Sequence, residues 1–84
     1  MTGFDIAAAK NLPDSTTVGL ASKVVTALLS DCLYVEESGR HAGIRIVPVQ
    51  MPSGLAVGQT VDVGGTMQTA NGERYVADSI VSIR

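Results

Sequence analysis

The chain has 84 residues, of which 45% are hydrophobic, 17% are charged and only 4% are aromatic, so it encodes one small domain with an aliphatic core. Its formal net charge is -2, and its six Lys and Arg residues form no basic run, so the sequence shows no strong basic field of the kind on which tight nucleic-acid binding depends, although the six could still gather on one face after folding. A single cysteine excludes an internal disulfide, no apolar run approaches the roughly 20 residues that span a bilayer, and no signal peptide is visible.

The N-terminal segment predicts one short helical turn over residues 5–10. Asp5 stands at an N-cap position before three alanines, which have high helix propensity, and the turn signal Leu12-Pro13-Asp14 follows. Phe4 is expected to anchor this turn. We therefore interpret residues 1–14 as a lead-in and residues 15–84 as the barrel of a single domain.

The first strand is predicted from alternation along residues 18–29. One parity faces the core and carries Val18, Leu20, Val24 and Leu28. Val25 and Leu29 have the opposite parity, which indicates outward positions or a bulge in the second half of the strand. Gly19 and Ala21 leave room for a bend.

The second and third strands are shorter. Residues 32–37 predict a strand with Leu33 and Val35 inward, and Ile44 and Ile46 restart the alternation after a polar connection. Tyr34, Glu36 and Arg45 then point outward. Two prolines, Pro48 and Pro52, interrupt any regular strand beyond this point, and Leu55 and Val57 are expected to plug one end of the barrel.

The fourth and fifth strands form the clearest hairpin. Val61, Val63 and Met67 mark the fourth strand, with Gly65 as a bulge, and Asn71-Gly72 is typical of a type I′ turn. The fifth strand is predicted over residues 73–83. Its inward parity changes from Val76 and Ile80 to Val81 and Ile83, which predicts a bulge near Asp78-Ser79.

Taken together, these segments resemble the OB fold, and in particular small bacterial OB-type modules of larger proteins. The matching motifs are Leu12-Pro13-Asp14, Val18-x-Leu20, Lys23-Val24-Val25-Thr26-Ala27, Leu33-Tyr34-Val35-Glu36-Glu37, Gly43-Ile44-Arg45-Ile46, Val57-Gly58, Val61-x-Val63-x-Gly65-Thr66 and Asn71-Gly72-Glu73-Arg74. The resemblance implies an all-β, five-stranded, closed or partly closed Greek-key barrel with a short N-terminal helical turn. It departs from that pattern at Ser22, where such domains usually have glycine, and at residues 48–58, which are too short for a helix.

The resemblance also implies a ligand face on the second and third strands, walled by the loops between strands one and two and between strands four and five. Carried over by position, the face comprises Tyr34, Glu36, Arg45, Gln68, Asn71, Arg74 and Tyr75, with Asp31 at its edge. The tyrosines are candidate stacking platforms and the arginines candidate phosphate partners. In the alternative interpretation, Tyr34 and Arg45 only cover the barrel, and Glu36 pairs with Arg45 across the strands.

No catalytic, metal or cofactor site is predicted. His41 has no second ligand at metal-binding spacing, and Cys32 is expected to be a small buried hydrophobe. Glu36 and Glu37 are adjacent in a strand, so their carboxylates point to opposite faces and cannot act as an acid–base pair.

The sequence therefore predicts a non-catalytic binding or accessory module rather than an enzyme. The resemblance implies a parent protein that is bacterial and often secreted or at the cell surface. Three partners remain open: single-stranded nucleic acid through the ligand face, an oligosaccharide on the same face, and a protein partner or a second copy of the chain. The outward apolar residues that would support self-association are Val25, Leu29, Val81 and Ile83.

Overall fold

The computed structural model describes residues 6–37 and 42–84, so the predictions for Phe4, Asp5 and His41 lie outside the described residues. A short helix, α1 (Ile6–Lys10), precedes five strands: β1 (Thr17–Leu28), β2 (Leu33–Glu36), β3 (Gly43–Pro48), β4 (Thr60–Ala70) and β5 (Glu73–Ile83). The strands close into one barrel in the order β1-β2-β3-β5-β4. All neighbours are antiparallel except the parallel pair β3–β5. The predicted all-β closed barrel with a short helix is confirmed.

The core is aliphatic, as the alternation predicts. Its strand residues are Val18, Leu20, Val25, Leu33, Val35, Ile44, Ile46, Val61, Val63, Met67, Val76 and Val81. The helix adds Ile6 and Ala9, both fully buried. The backbone amide of Ile6 donates to Oε1 of Glu37 at 2.9 Å, and the same oxygen lies 2.8 Å from Nζ of the buried Lys23. This carboxylate therefore ties the start of α1 to the barrel wall.

The alternation in β1 reverses at a bulge, which corrects part of the sequence prediction. The register between β1 and β4 shifts between Leu20 and Lys23, and Ser22 has a φ of 58°. Beyond the extra residue Lys23 and Val25 face the core, and Val25 is fully buried, whereas Val24 lies opposite the outward Glu36. A second register shift, between Val25 and Ala27, sets Leu28 opposite the buried Leu33 at the end of the strand, where Leu28 is 36% exposed. The inward placement of Val24, and the proposal that Val25 is available for self-association, are therefore wrong.

The bend at Ser22 is held by one carboxylate from the neighbouring strand. Asp62 Oδ1 accepts the backbone amide of Ser22 at 2.9 Å and the Nε of Arg84 at 2.8 Å. These two hydrogen bonds, that from Arg84 foremost, lower the pKa of the Asp62 carboxyl below its usual value. The curvature that glycine usually permits is thus achieved here with a serine and a fixed hydrogen bond.

The second bulge lies where β4 meets β5. Gly64 pairs with Ile80 and Thr66 with Ala77, so two β5 residues oppose the single residue Gly65. Asp78, the first of these two, has a φ of 49°. The predicted bulge near Asp78-Ser79 is confirmed, whereas the bulge predicted at Gly65 is wrong, because the extra residue belongs to β5 and Gly65 lies opposite it. A side chain on Gly65 has no room, because a Cβ there would lie 2.6–2.9 Å from three atoms of β5.

Past this bulge, the burial of the β5 side chains contradicts one prediction. Val81 is buried at 9% exposure, so its predicted role in self-association is wrong, whereas Ile80 is 68% exposed and Ile83 38% exposed. The hairpin before β5 is as predicted, since Asn71 and Gly72 both have positive φ values, of 52° and 80°.

The chain between β3 and β4 turns away from the barrel at its first proline. β3 ends at Pro48, and the next amide, that of Val49, donates to the carbonyl of Ser79 at 2.9 Å. The later part of this segment pairs with β1, because Gly58 donates to the carbonyl of Val25 at 2.8 Å. Leu55 packs on the core as predicted, but Val57 is 59% exposed, so it does not plug the barrel.

Candidate ligand-binding face

Four of the predicted face residues form a row across four adjacent strands. Tyr34 pairs with Arg45 in the β2–β3 register, Arg45 with Tyr75 in the β3–β5 register, and Tyr75 with Gln68 in the β4–β5 register. Residues directly opposite each other on neighbouring strands project from the same side of a sheet. All four are partly exposed. The barrel therefore presents a continuous stripe of two aromatic rings, one guanidinium and one amide.

The centre of this row is held together by a carboxylate. The guanidinium carbon of Arg45 lies 5.6 Å from the centroid of the Tyr75 ring, within cation–π range. Glu73 accepts the hydroxyl of Tyr34 through Oε2 at 3.2 Å, and its Oε1 lies 3.4 Å from Nη1 of Arg45. One carboxylate thus fixes the ends of two side chains on different strands.

The ionisation of these groups reflects their contacts. Burial raises the pKa of the Tyr34 hydroxyl, and the charge and hydrogen bond of Glu73 raise it further. The pKa of Arg45 is also raised, first by hydrogen bonding to the side chain of Cys32 and then by Glu73. Tyr34 is therefore a neutral hydrogen-bonding group and Arg45 a permanent cation.

An open cleft of about 250 Å³ lies beside the row. It is lined by Lys10, Tyr34, Gly43, Ile44, Arg45, Gly72, Glu73 and Arg74. The lining combines three cations with one carboxylate, in a protein whose net charge is -2. Lys10 is exposed and, among the described residues, has no carboxylate within ion-pair distance. It is therefore the least neutralised cation of the cleft.

Arg74 lines the cleft but is engaged with the lead-in. Its Nη1 lies 2.6 Å from Oδ1 of Asp14 and 2.9 Å from Oγ1 of Thr69, and its Nη2 donates to the carbonyl of Leu12. Thr69 also donates to Asp14 at 2.9 Å. These bonds connect the segment after α1 to the β4–β5 hairpin, so the charge of Arg74 is largely matched within the protein.

Five of the predicted residues lie outside the cleft lining: Tyr75 and Gln68, which belong to the row, and three residues that do not. Asp31 is exposed in the turn between β1 and β2, and Asn71 is exposed at the tip of the β4–β5 hairpin. Glu36 lies opposite Gly43, with its Cγ 3.1 Å from the place where a Cβ on that glycine would stand. The ion-pair partner of Arg45 is Glu73, so the alternative pairing of Glu36 with Arg45 is wrong.

Sequence reasoning missed Glu73 and Lys10 as members of this site. Glu73 directly follows the Asn71-Gly72 turn, so the hairpin placed it at the start of β5, but its approach to Tyr34 depends on the parallel pairing of β3 with β5. Lys10 reaches the cleft only because α1 packs beside β3. Neither relation has a local sequence signal.

The described residues hold no cluster of three or more side chains suited to a metal ion. Cys32 is a free thiol buried at 3% exposure, as predicted. In residues 6–37 and 42–84 the single helix spans five residues, well short of a membrane crossing.

Comparison with known proteins gives a fold relationship only. No protein-family model and no curated protein matches the chain. A solved structure of a hypothetical protein, YgiW from E. coli, superposes with a TM-score of 0.75 and 18% sequence identity, covering 100% of this chain and 91% of that chain. The likeness supports the small closed β-barrel.

Proposed function

We propose that this chain is a non-catalytic, OB-type binding module that takes a compact polar ligand in the cleft beside Tyr34, Arg45 and Glu73. The strand order β1-β2-β3-β5-β4 supports the OB assignment. OB barrels bind oligonucleotides and oligosaccharides on strands two and three, between the β1–β2 and β4–β5 loops. The cleft lies on strands two and three of this barrel, with Gly72 of the β4–β5 turn and Lys10 of α1 at its walls.

The observation that carries the proposal is that Tyr34 and Arg45 both bind Glu73 at an open cleft which all three residues line. They supply a phenol, a guanidinium and a carboxylate within one small volume, and the Tyr75 ring lies beside the cleft, 5.6 Å from the Arg45 guanidinium. Because donors and an acceptor stand side by side, the cleft suits a ligand with several hydroxyl or amide groups, such as a short oligosaccharide. The accessory role beside other domains of a larger bacterial protein rests on the resemblance in sequence.

Single-stranded nucleic acid is the second candidate, and the stacking of Arg45 on Tyr75 favours it. Charge disfavours it. Arg45 is paired with Glu73 and Arg74 with Asp14, which leaves Lys10 as the cation free to neutralise a phosphate among those that line the cleft. Since affinity for nucleic acid scales with the number of phosphates neutralised, we expect weak binding.

The test is a titration of the ¹⁵N-labelled chain with chito- and cello-oligosaccharides and with a short oligo-dT. The proposal expects one of the sugars to shift the amides of residues 43–45 and 72–74. Arg45→Ala should abolish those shifts without lowering the thermal midpoint by more than a few degrees. Glu36→Gln, which changes a carboxylate outside the cleft on the neighbouring strand, is the matched control and should bind normally.

Two results would contradict the proposal. Sugar-induced shifts confined to another surface would remove the cleft as the site. Micromolar binding of oligo-dT at physiological salt, falling steeply between about 50 mM and about 200 mM salt, would show phosphate contacts and favour the second candidate.

A further inference from the structure

In the part of the chain that the structure describes, no strand pairs with the outer edge of β5 beyond Ser79. β3 pairs with β5 only as far as Pro48 and Ser79, because the chain leaves the sheet at the proline. The last bond on this side is the one from the Val49 amide to the Ser79 carbonyl. From residue 80 to residue 83, β5 pairs only with β4 among the described residues.

Hydrogen-bond alternation shows which backbone groups face outward along this edge. The amide of Arg84 donates to the carbonyl of Thr60 on β4 at 2.9 Å. In an antiparallel pair the bonded residues alternate, so Ser82 and Ile80 also face β4. The amides and carbonyls of Val81 and Ile83 therefore point away from β4, on the side where Ser79 bonds to Val49.

Apolar side chains border this open edge. Ile80 and Val49 are each 68% exposed. Together with Met51 and Pro52 they line a groove of about 280 Å³ in the space that β3 leaves when it turns away. No charged residue stands between Ser79 and Ile83. The devices that usually protect an edge strand, such as lysine or proline, are absent from these five positions.

We propose that two copies of the chain associate through this edge, by antiparallel pairing of β5 with β5 about a twofold axis at Ser82. In this register Val81 of each copy lies opposite Ile83 of the other, and the two residues exchange both backbone bonds. Four outward amide–carbonyl pairs are satisfied, and the interface is isologous. The inference is independent of the ligand proposed above, because the cleft lies on the other end of β5.

The side chains on the outer face are compatible with this register. Ser82 lies opposite its own copy, and two serine hydroxyls can bond to each other across a strand pair. Arg84 lies opposite Ile80 rather than opposite the second Arg84, so like charges do not meet. The stem of the arginine covers the exposed isoleucine, while its head already pairs with Asp62. The self-complementary order of these residues is the reason to assign the edge to a second copy.

The first experiment is sedimentation velocity of the full chain over a concentration series. We expect a reversible monomer–dimer equilibrium with a Kd on the order of 100 μM, since a short strand pair buries less than the about 1,200 Å² of a standard interface. Ile83→Pro removes an outward amide but no bond to β4, and should weaken the dimer at least about tenfold. A chain that stays monomeric at about 1 mM would overturn the proposal, and would leave the edge to an extended segment of another protein.

A second pair of variants guards against loss of folding. Ile80→Lys changes an exposed side chain and sets a cation opposite Arg84, so it should weaken the dimer by a similar factor with the circular dichroism spectrum unchanged. Val57→Lys, at another exposed apolar residue on the β3–β4 segment, is the control and should leave the Kd unchanged. Equal effects of the two lysines would contradict edge pairing.

Crosslinking tests the register itself. The two Cα atoms of a residue on the axis at a non-hydrogen-bonded position are about 4.5 Å apart, which a disulfide can bridge. Ser82→Cys should therefore oxidise to a covalent dimer at least about tenfold faster than Ser30→Cys, an exposed serine in the β1–β2 turn, with Cys32 buried in both variants. Equal rates would refute the axis at Ser82.

Discussion

Replacing Gly65 by alanine tests whether the bulge in β5 is what demands a glycine in β4. A Cβ at this position would lie 2.6 Å from Cγ1 of Val76, 2.7 Å from the carbonyl oxygen of Ala77 and 2.9 Å from Cβ of Ser79. Two of these contacts are with atoms next to or within the backbone, so a rotamer change cannot relieve them. The strands must separate locally, at the place where two β5 residues oppose one β4 residue.

Gly64 provides the matched control, one residue away in the same strand. The nearest atom to a Cβ there is the carbonyl oxygen of Val18, at 4.0 Å, and the position is exposed. Neither glycine has a positive φ, so an alanine meets no backbone strain at either site. The two variants have identical compositions and differ only in the space around the added methyl group.

The magnitudes follow from these contacts. Overpacking a core typically costs about 1–3 kcal/mol, against a gain of about 0.5–1 kcal/mol from replacing a glycine within a strand. The gain offsets part of the cost, so Gly65→Ala should lower the free energy of unfolding by about 1 kcal/mol, while Gly64→Ala leaves it unchanged or raises it by about 0.5 kcal/mol. For a domain of this size the difference of about 1–1.5 kcal/mol corresponds to about 4–12 °C in Tm.

Thermal and urea unfolding followed by far-UV circular dichroism measure both quantities without requiring tryptophan, which the chain lacks. A Gly65→Ala variant that melts within about 3 °C of Gly64→Ala would refute the reasoning, because it would mean that the bulge accommodates a methyl group. A loss shared equally by both variants would refute it as well, since it would place the cost in glycine itself rather than in the contacts with β5.

Three further predictions concern single side chains. In a Tyr75→Phe background, where Tyr34 is the one tyrosine left, Glu73→Gln should lower the pKa of Tyr34 towards its usual value. The return should be incomplete, because burial also raises the pKa of Tyr34. Titration of phenolate absorbance measures the pKa, and an unchanged value contradicts the contact between Glu73 and Tyr34. Asp62→Asn should lower the free energy of unfolding at pH 7, and this loss should shrink as the pH falls below the usual aspartate pKa of about 3.9. The reason is that a carboxylate whose pKa is lowered in the folded state stabilises the fold above that pH, and this stabilisation disappears as the carboxylate is protonated. A difference in urea midpoint between variant and parent that stays constant down to about pH 3 argues against the prediction. Ser79→Ala should raise the free energy of unfolding by about 1 kcal/mol, since the fully buried hydroxyl has no hydrogen-bond partner among the described residues, and a loss of stability instead would reveal one.

The barrel was predictable where its signals are local. The Asn71-Gly72 turn and the alternation in β2, β3 and β4 depend on neighbouring residues, and the structure agrees with them. The inward side chains in the second half of β1 were not predictable in this way, because the position of the bulge at Ser22 depends on how β1 bends to pair with both β2 and β4. An extra residue reverses the side chains that follow it, so Val25 rather than Val24 faces the core, up to a second register shift between Val25 and Ala27. The bulge at Asp78 was found because the alternation in β5 itself changes phase.

The residues of the candidate ligand-binding face also divide into those with a local sequence signal and those without one. Tyr34 and Arg45 come from two short antiparallel strands joined by a short connection, so their opposition could be anticipated. The approach of Tyr75 and Glu73 depends on a parallel register between segments about 30 residues apart, which no local pattern encodes. The lead-in partners of Arg74, Asp14 and Leu12, are farther still along the chain, and periodicity gave no sign of them.

The position of β5 between β3 and β4 has a kinetic consequence. The ring cannot close before this strand is in place, because β5 is the last of the five strands along the chain and it alone joins β3 to β4. Pairings such as Thr17 with Thr66 also span nearly 50 residues, so most native contacts form late and at a high cost in loop entropy. The chain is therefore expected to fold in milliseconds to seconds, in one concerted step once β5 is available, rather than strand by strand along the chain.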